Sequence, residues 1–101
     1  MAGINCIPVL KALGEPTRIR IMRLLLQRSL GVNEISDRLG LSQYNTSKHL
    51  RILREAGLLE MQAEGKLRRY GVATKLAERL ASNKNVLDLD CCTFRFDKLP
   101  K

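Results

Sequence analysis

The sequence predicts a mainly α-helical fold with one small β-hairpin, of the winged helix-turn-helix class. Three observations predict it. Residues 34–57, EISDRLGLSQYNTSKHLRILREAG, read as two short helices joined by a tight turn, the second opening on polar residues and turning basic. The run MQAEGKLRRYGV follows at once as two short strand-like pieces about a glycine. Ahead of both stands GEPTRIRIMRLLLQR, whose apolar residues fall nearly all round a helix, as expected of a buried packing element.

Residues 4–13 form a short helix carrying Pro8 and stopped by Gly14. Pro16 suits a first helical position, where its missing N–H costs nothing. Ile19, Met22, Leu25 and Leu26 then share one face, with Ile21 and Leu24 on the other side. The stretch SLGV is a break. Residues 32–39 are the first helix of the motif, with Ile35 and Leu39 four apart on one face. Gly40 suits the left-handed residue after a helix end, and Ser42 is a good N-cap for the next helix. There Thr46, Leu50 and Leu53 stack, while Tyr44, Lys48, Arg51 and Glu55 take the other side until Gly57 ends the helix.

Residues 58–63 and 67–73 flank Glu64-Gly65-Lys66 as the two strands of a wing. Thr74 caps a last helix over 75–81, and Ser82-Asn83-Lys84-Asn85 breaks it. The remainder alternates in part, through Val86, Leu87, Leu89, Phe94 and Phe96, and reads as a strand or an ordered tail. The organisation expected is a winged helix-turn-helix unit over 1–82, serving DNA binding and dimerisation, and a cysteine-containing tail over 83–101.

A chain of 101 residues makes one domain the default, with a modest core that burial in a dimer would extend. Hydrophobic residues make up 45% and there is no Trp, so Leu, Ile, Val and Met must build that core. The net charge of +8 favours polyanionic partners, nucleic acid first. Arg18, Arg20, Arg23 and Arg28 lie in a stretch without an acid, followed by Lys48, Arg51 and Arg54, then Lys66, Arg68 and Arg69. The last fourteen residues balance Asp88, Asp90 and Asp97 against Arg95, Lys98 and Lys101, unlike a basic DNA-gripping arm. No apolar run is long enough for a bilayer. The first residues have no basic n-region, which argues against a secretory signal, and three cysteines do not suggest a disulfide framework. The expected compartment is the cytoplasm.

A helix that reads duplex DNA needs polar side chains near its N-terminus, where base edges are usually met. Ser42, Gln43, Tyr44, Asn45, Ser47 and Lys48 supply them. Gln43 and Asn45 can each bond adenine bidentately, whereas Lys48 and Arg51 suit phosphates. Lys66 and Arg68 extend the basic surface to the wing, and strand alternation sends Arg68 and Arg69 to opposite faces, so at most one of the two faces DNA. His49, the single histidine, has no metal-ligating partner at helical spacing and suits a phosphate contact or packing at the helix flank.

At these residues a family becomes recognisable. LKALGEPTRIRIMRLL, then NEISDRLGLSQYNTSKHLRILREAGLL and a short EGK wing, resembles the ArsR-type (arsenic repressor-like) regulators over roughly residues 9–74. The pattern Ser42-Gln43, Ser47, His49-Leu50, Leu53 and Ala56-Gly57-Leu58 carries the likeness. The resemblance implies a homodimer on an imperfect palindrome, paired through its first and last helices, and repression relieved by an inducer. Founding members carry Cys-Val-Cys at the start of the first motif helix. Here Gly31 and Asn33 stand at the two thiol positions. A subgroup binds zinc through His and Asp on the last helix, which has no histidine here. Thr46 replaces a usual aliphatic residue.

The remaining thiols are Cys6, Cys91 and Cys92. Thiolates suit soft ions, and trivalent arsenic or antimony favours three sulfurs, so arsenite or antimonite as inducer, joined by Cys6 and the tail pair across the dimer, is the leading expectation. A thiol redox response, with Cys6 pairing to one tail cysteine, is the alternative, and a regulator without sensing a third. A small thiol enzyme is the remote alternative, since no CxxC, phosphate loop or nucleophile–His dyad accompanies the pair. A winged helix serving protein or RNA contacts is opposed by the polar reading face.

Overall fold

A computed structural model describes residues 6–88 and 92–96. Helices α1 (Cys6–Leu13), α2 (Pro16–Leu25), α3 (Val32–Leu39), α4 (Gln43–Glu55) and α5 (Thr74–Ser82) accompany a small antiparallel sheet of β1 (Leu30–Gly31), β2 (Leu59–Glu64) and β3 (Leu67–Val72). The sheet order is β1-β3-β2, and β2 and β3 form the wing. A second hairpin pairs β4 (Val86–Asp88) with β5 (Thr93–Arg95). This is the winged helix-turn-helix expected from the sequence.

Local chemistry sets the motif boundaries. Gly40 sits at φ 67° and ψ 36° at the end of α3, a left-handed conformation that a Cβ would penalise, and its N–H closes on the Ser36 carbonyl. Ser42 is the N-cap of α4, and its Oγ accepts the Asn45 N–H at 3.1 Å. Pro16 is the first residue of α2, as expected, and Glu15 before it accepts the Arg18 N–H.

The core gathers Val9, Leu13, Ile21, Met22, Ile35, Leu50, Leu53, Leu58, Leu76 and Leu80, all essentially without solvent exposure. It locks α3 against α4 and holds both on α2. Thr46, standing where an aliphatic side chain is usual, is fully buried and satisfied, because its hydroxyl donates to the Ser42 carbonyl at 2.8 Å.

Three features differ from the sequence reading. Helix α2 is not buried all round: Ile19, Leu24 and the C-cap Leu26 stay half-exposed while Ile21, Met22 and Leu25 are buried. The break before α3 contains β1, which pairs Leu30 with Tyr70 and Gly31 with Arg69 and so roots the wing beside the motif. Thr74 is the first residue of α5 and not its cap. Its N–H and hydroxyl are met by the Glu60 carboxylate of β2 at 3.0 and 3.2 Å. Of the two readings for the tail, its described part takes the strand, as the β4–β5 pair, and Leu87 and Phe96 reach the core with 1% and 2% exposure.

Candidate nucleic-acid interface

The thirteen residues of α4 divide into three flanks by helical geometry. Thr46, Leu50 and Leu53 face the core. Tyr44, Lys48, Arg51 and Glu55 stand opposite them and are all exposed. Ser42, Gln43, Asn45 and Ser47 are exposed as well, so every candidate reading residue at the helix N-terminus is open to solvent. Tyr44 is 75% exposed. Arg51 shares an exposed ion pair with Glu55 at 3.6 Å, which water screens and a phosphate could replace.

His49 lies on the third flank and is half-buried. Its Nδ1 is 3.2 Å from Arg18 Nη1 and 3.9 Å from Glu15 Oε2, both at the N-terminal end of α2. Burial holds its pKa below the usual 6.5, and the Arg18 and Lys48 charges act in the same direction against the pull of Glu15. The Glu15 carboxyl also lies below its ordinary value. Burial would raise it, but the N–H groups of Thr17 and Arg18 and the His49 and Arg18 charges outweigh that. His49 is thus packed at the helix flank against the N-terminal end of α2.

The wing turns at Gly65, in a left-handed conformation at φ 62°. Lys66 and Arg68 are exposed. Arg69 points to the other strand face, where Nη1 donates to the Ser29 carbonyl at 3.3 Å and Nε lies 3.9 Å from Glu64. Its charge is engaged in holding the wing to its own domain. Leu67, 68% exposed at the tip opposite Glu64, was not singled out from the sequence, although an apolar residue at an outer hairpin register was the available signal. The Glu15–Arg18–His49 cluster was also missed, because its partners are 31 residues apart.

Cys6 is half-buried at the start of α1 and is disulfide-bonded, and Cys92 is half-buried and packed against the core. Cys91 lies outside the described residues. Among the described residues no group of three His, Cys, Asp or Glu side chains is placed to hold a metal ion. Nor is any described helix long and apolar enough to cross a membrane.

Comparison with known proteins places this geometry. Residues 15–61 match the family described as "Bacterial regulatory protein, arsR family". The chain is 39% identical over 79 residues to the uncharacterized HTH-type transcriptional regulator Rv0081 of Mycobacterium tuberculosis, covering 76% of this chain and 69% of that protein. It is 33% identical over 90 residues to a probable mercury resistance operon repressor of Streptomyces lividans, covering 82% and 71%. Among solved structures it resembles the homodimeric winged helix-turn-helix DNA-binding domain of Mb0332 from Mycobacterium bovis, with a TM-score of 0.70, 29% identity, and 83% and 86% of the two chains covered. An exposed polar row on a capped second helix, a basic wing and these likenesses coincide in one stretch of chain, and the protein belongs to the ArsR family of winged helix-turn-helix transcriptional regulators.

Proposed function

We propose that the chain is a cytoplasmic transcriptional repressor, not an enzyme, that binds operator DNA as a homodimer and is released by an agent acting on its thiols. The observation that carries the reading is the exposed row on α4, Gln43, Tyr44, Asn45, Ser47, Lys48 and Arg51, set on a helix whose opposite side is fully buried. Gln43 and Asn45 read base edges. Lys48, Arg51, Lys66 and Arg68 grip phosphates. Ser42 and Tyr44 border the same surface. Two such helices in a symmetric dimer would meet successive major-groove faces roughly 34–36 Å apart. Ile7, 58% exposed on α1, suits a place at the subunit interface.

The inducer we favour is trivalent arsenic or antimony, held by Cys6, Cys91 and Cys92. The choice rests on thiolate softness and on the mercury-resistance name of the Streptomyces lividans relative. A second reading, release by thiol oxidation, is favoured by the disulfide at Cys6. Titrating the protein on duplex DNA with arsenite under reducing conditions, and separately with zinc and a thiol oxidant, tests both. Arsenite should release the DNA, and Cys6→Ser and Cys92→Ser should abolish the release while leaving DNA affinity intact. No release by arsenite with all thiols reduced overturns the metalloid reading, and release by oxidant alone selects the redox one.

A further inference from the structure

Arg18 occupies a junction that DNA contact does not explain. Its Nε donates to the Ala12 carbonyl at 2.6 Å and its Nη2 to the Lys11 carbonyl at 3.2 Å. These carbonyls belong to the last turn of α1, where the helix itself runs out of donors, although the Lys11 carbonyl also accepts the Gly14 N–H at 3.4 Å. The third arm, Nη1, lies 3.2 Å from His49 Nδ1, midway along α4. One planar, permanently charged fork therefore joins the end of α1 to the middle of α4. It is itself held in place by its backbone N–H, which donates to the Glu15 carboxylate at 3.1 Å. The charged groups facing the imidazole are Glu15 and Arg18 from α2 and Lys48 beside it on α4. A guanidinium offers only donors, so in this contact Nδ1 must accept, which requires a neutral ring with its proton on Nε2.

We propose that Arg18 is a positioning residue for DNA recognition, which ties the C-terminal end of α1 to His49 and so sets how α4 is seated against the duplex. The proposal rests on α4 being the reading helix and is independent of what acts on the thiols. A protonated imidazole has no acceptor, so acidification would break the Arg18 contact and turn His49 toward Glu15, 3.9 Å away. This reverses the sign expected of a histidine that grips phosphate, for which protonation tightens binding.

The test uses a duplex that the wild-type chain selects from a random-sequence pool, with Kd read by fluorescence anisotropy at fixed ionic strength. Near neutral pH, Arg18→Lys and Arg18→Gln should each weaken binding about three- to tenfold, the size of one net hydrogen bond. His49→Leu should do the same. His49→Asn, whose amide oxygen stands close to the place of Nδ1, should bind like wild type. The Arg18→Gln/His49→Leu double variant should be no weaker than either single one, as residues acting through one contact are not additive. On acidification from about pH 7.5 to about pH 5.5 the wild type should lose affinity several-fold while His49→Asn does not.

Tighter wild-type binding in acid, unchanged affinity of the Arg18 variants, or multiplying losses in the double variant would each overturn the proposal. The acid series needs no variant, so a folding defect in the Arg18 proteins does not remove the test. If the wild type selects no duplex at all, DNA reading by α4 is what fails, and Arg18 positioning falls with it.

Discussion

At the scale of single residues, the proposed function divides the exposed face of α4 between reading and gripping. Gln43 offers both a donor and an acceptor to one base edge, so Gln43→Ala should cost about 1–3 kcal/mol at one operator position and relax preference there. Arg51 offers only charge, and its ion pair with Glu55 is open to water. Arg51→Ala should therefore weaken all sequences alike and lower the salt slope by about one. Binding to a panel of single-base operator variants at two salt concentrations checks both, and an unchanged base preference in Gln43→Ala would remove that residue from the reading face.

The Glu15–His49 pair makes a second residue-scale prediction, for stability. Both groups have folded pKa values below their ordinary ones, so between the two values the unfolded chain binds more protons and stability rises with pH. The His49 contribution is complete above 6.5 and is lost as pH falls through its lower folded value. The Glu15 contribution is complete above 4.5 and is lost below that. Thermal midpoints should therefore decline on acidification from neutrality, and His49→Asn should flatten the upper part of the decline. An identical slope in the variant would show that His49 carries none of it.

At the scale of elements, Leu53 shows what holds α4 in place. It is fully buried where α4 meets the core, and Leu53→Ala should cost about 2–5 kcal/mol, measurable by denaturant unfolding. Thr46→Val should change stability by less than about 1 kcal/mol, because the Ser42 carbonyl that loses the hydroxyl still accepts the Thr46 N–H at 3.0 Å. The elements were legible where their causes are local. Gly40 and Ser42 mark the turn between α3 and α4, Pro16 opens α2, and Gly65 turns the wing, because each acts on its own backbone. Along α4 the spacing of Thr46, Leu50 and Leu53 also fixed which side faces out, and with it the candidate site. What stayed illegible depends on distant partners. Strand β1 is two residues long and exists only because Tyr70 and Arg69 lie beside it. Helix α5 is capped by Glu60, fourteen residues upstream, and not by its own Thr74. The Arg18–His49 contact joins two helices whose sequences each read as complete without it.

At the scale of the whole molecule, the question is whether the segment after residue 82 is an appendage or part of the fold. Its composition, balanced in charge and broken by Ser82-Asn83-Lys84-Asn85, suggested a tail set apart from the winged helix. Packing ties it in more closely. Val86–Asp88 and Thr93–Arg95 pair as a hairpin, which brings Leu87 and Phe96 among the core residues. Phe96 also borders a cleft of about 720 Å³ shared with Arg20, Arg23 and Leu24 of α2 and Leu39 of α3. A domain this small has little apolar area to spare, so two buried side chains from the tail matter to its stability. Phe96→Ala should cost about 3–5 kcal/mol, while Phe96→Leu should restore most of it, as expected if the ring fills space in a packed core. Denaturant unfolding of the two variants checks this. If Phe96→Ala unfolds at the wild-type midpoint, the hairpin contributes nothing to the core, and Cys92 answers to no structural constraint from α2. If the loss is found, any change at Cys92 acts on a segment that shares its packing with α2, the helix carrying Arg18.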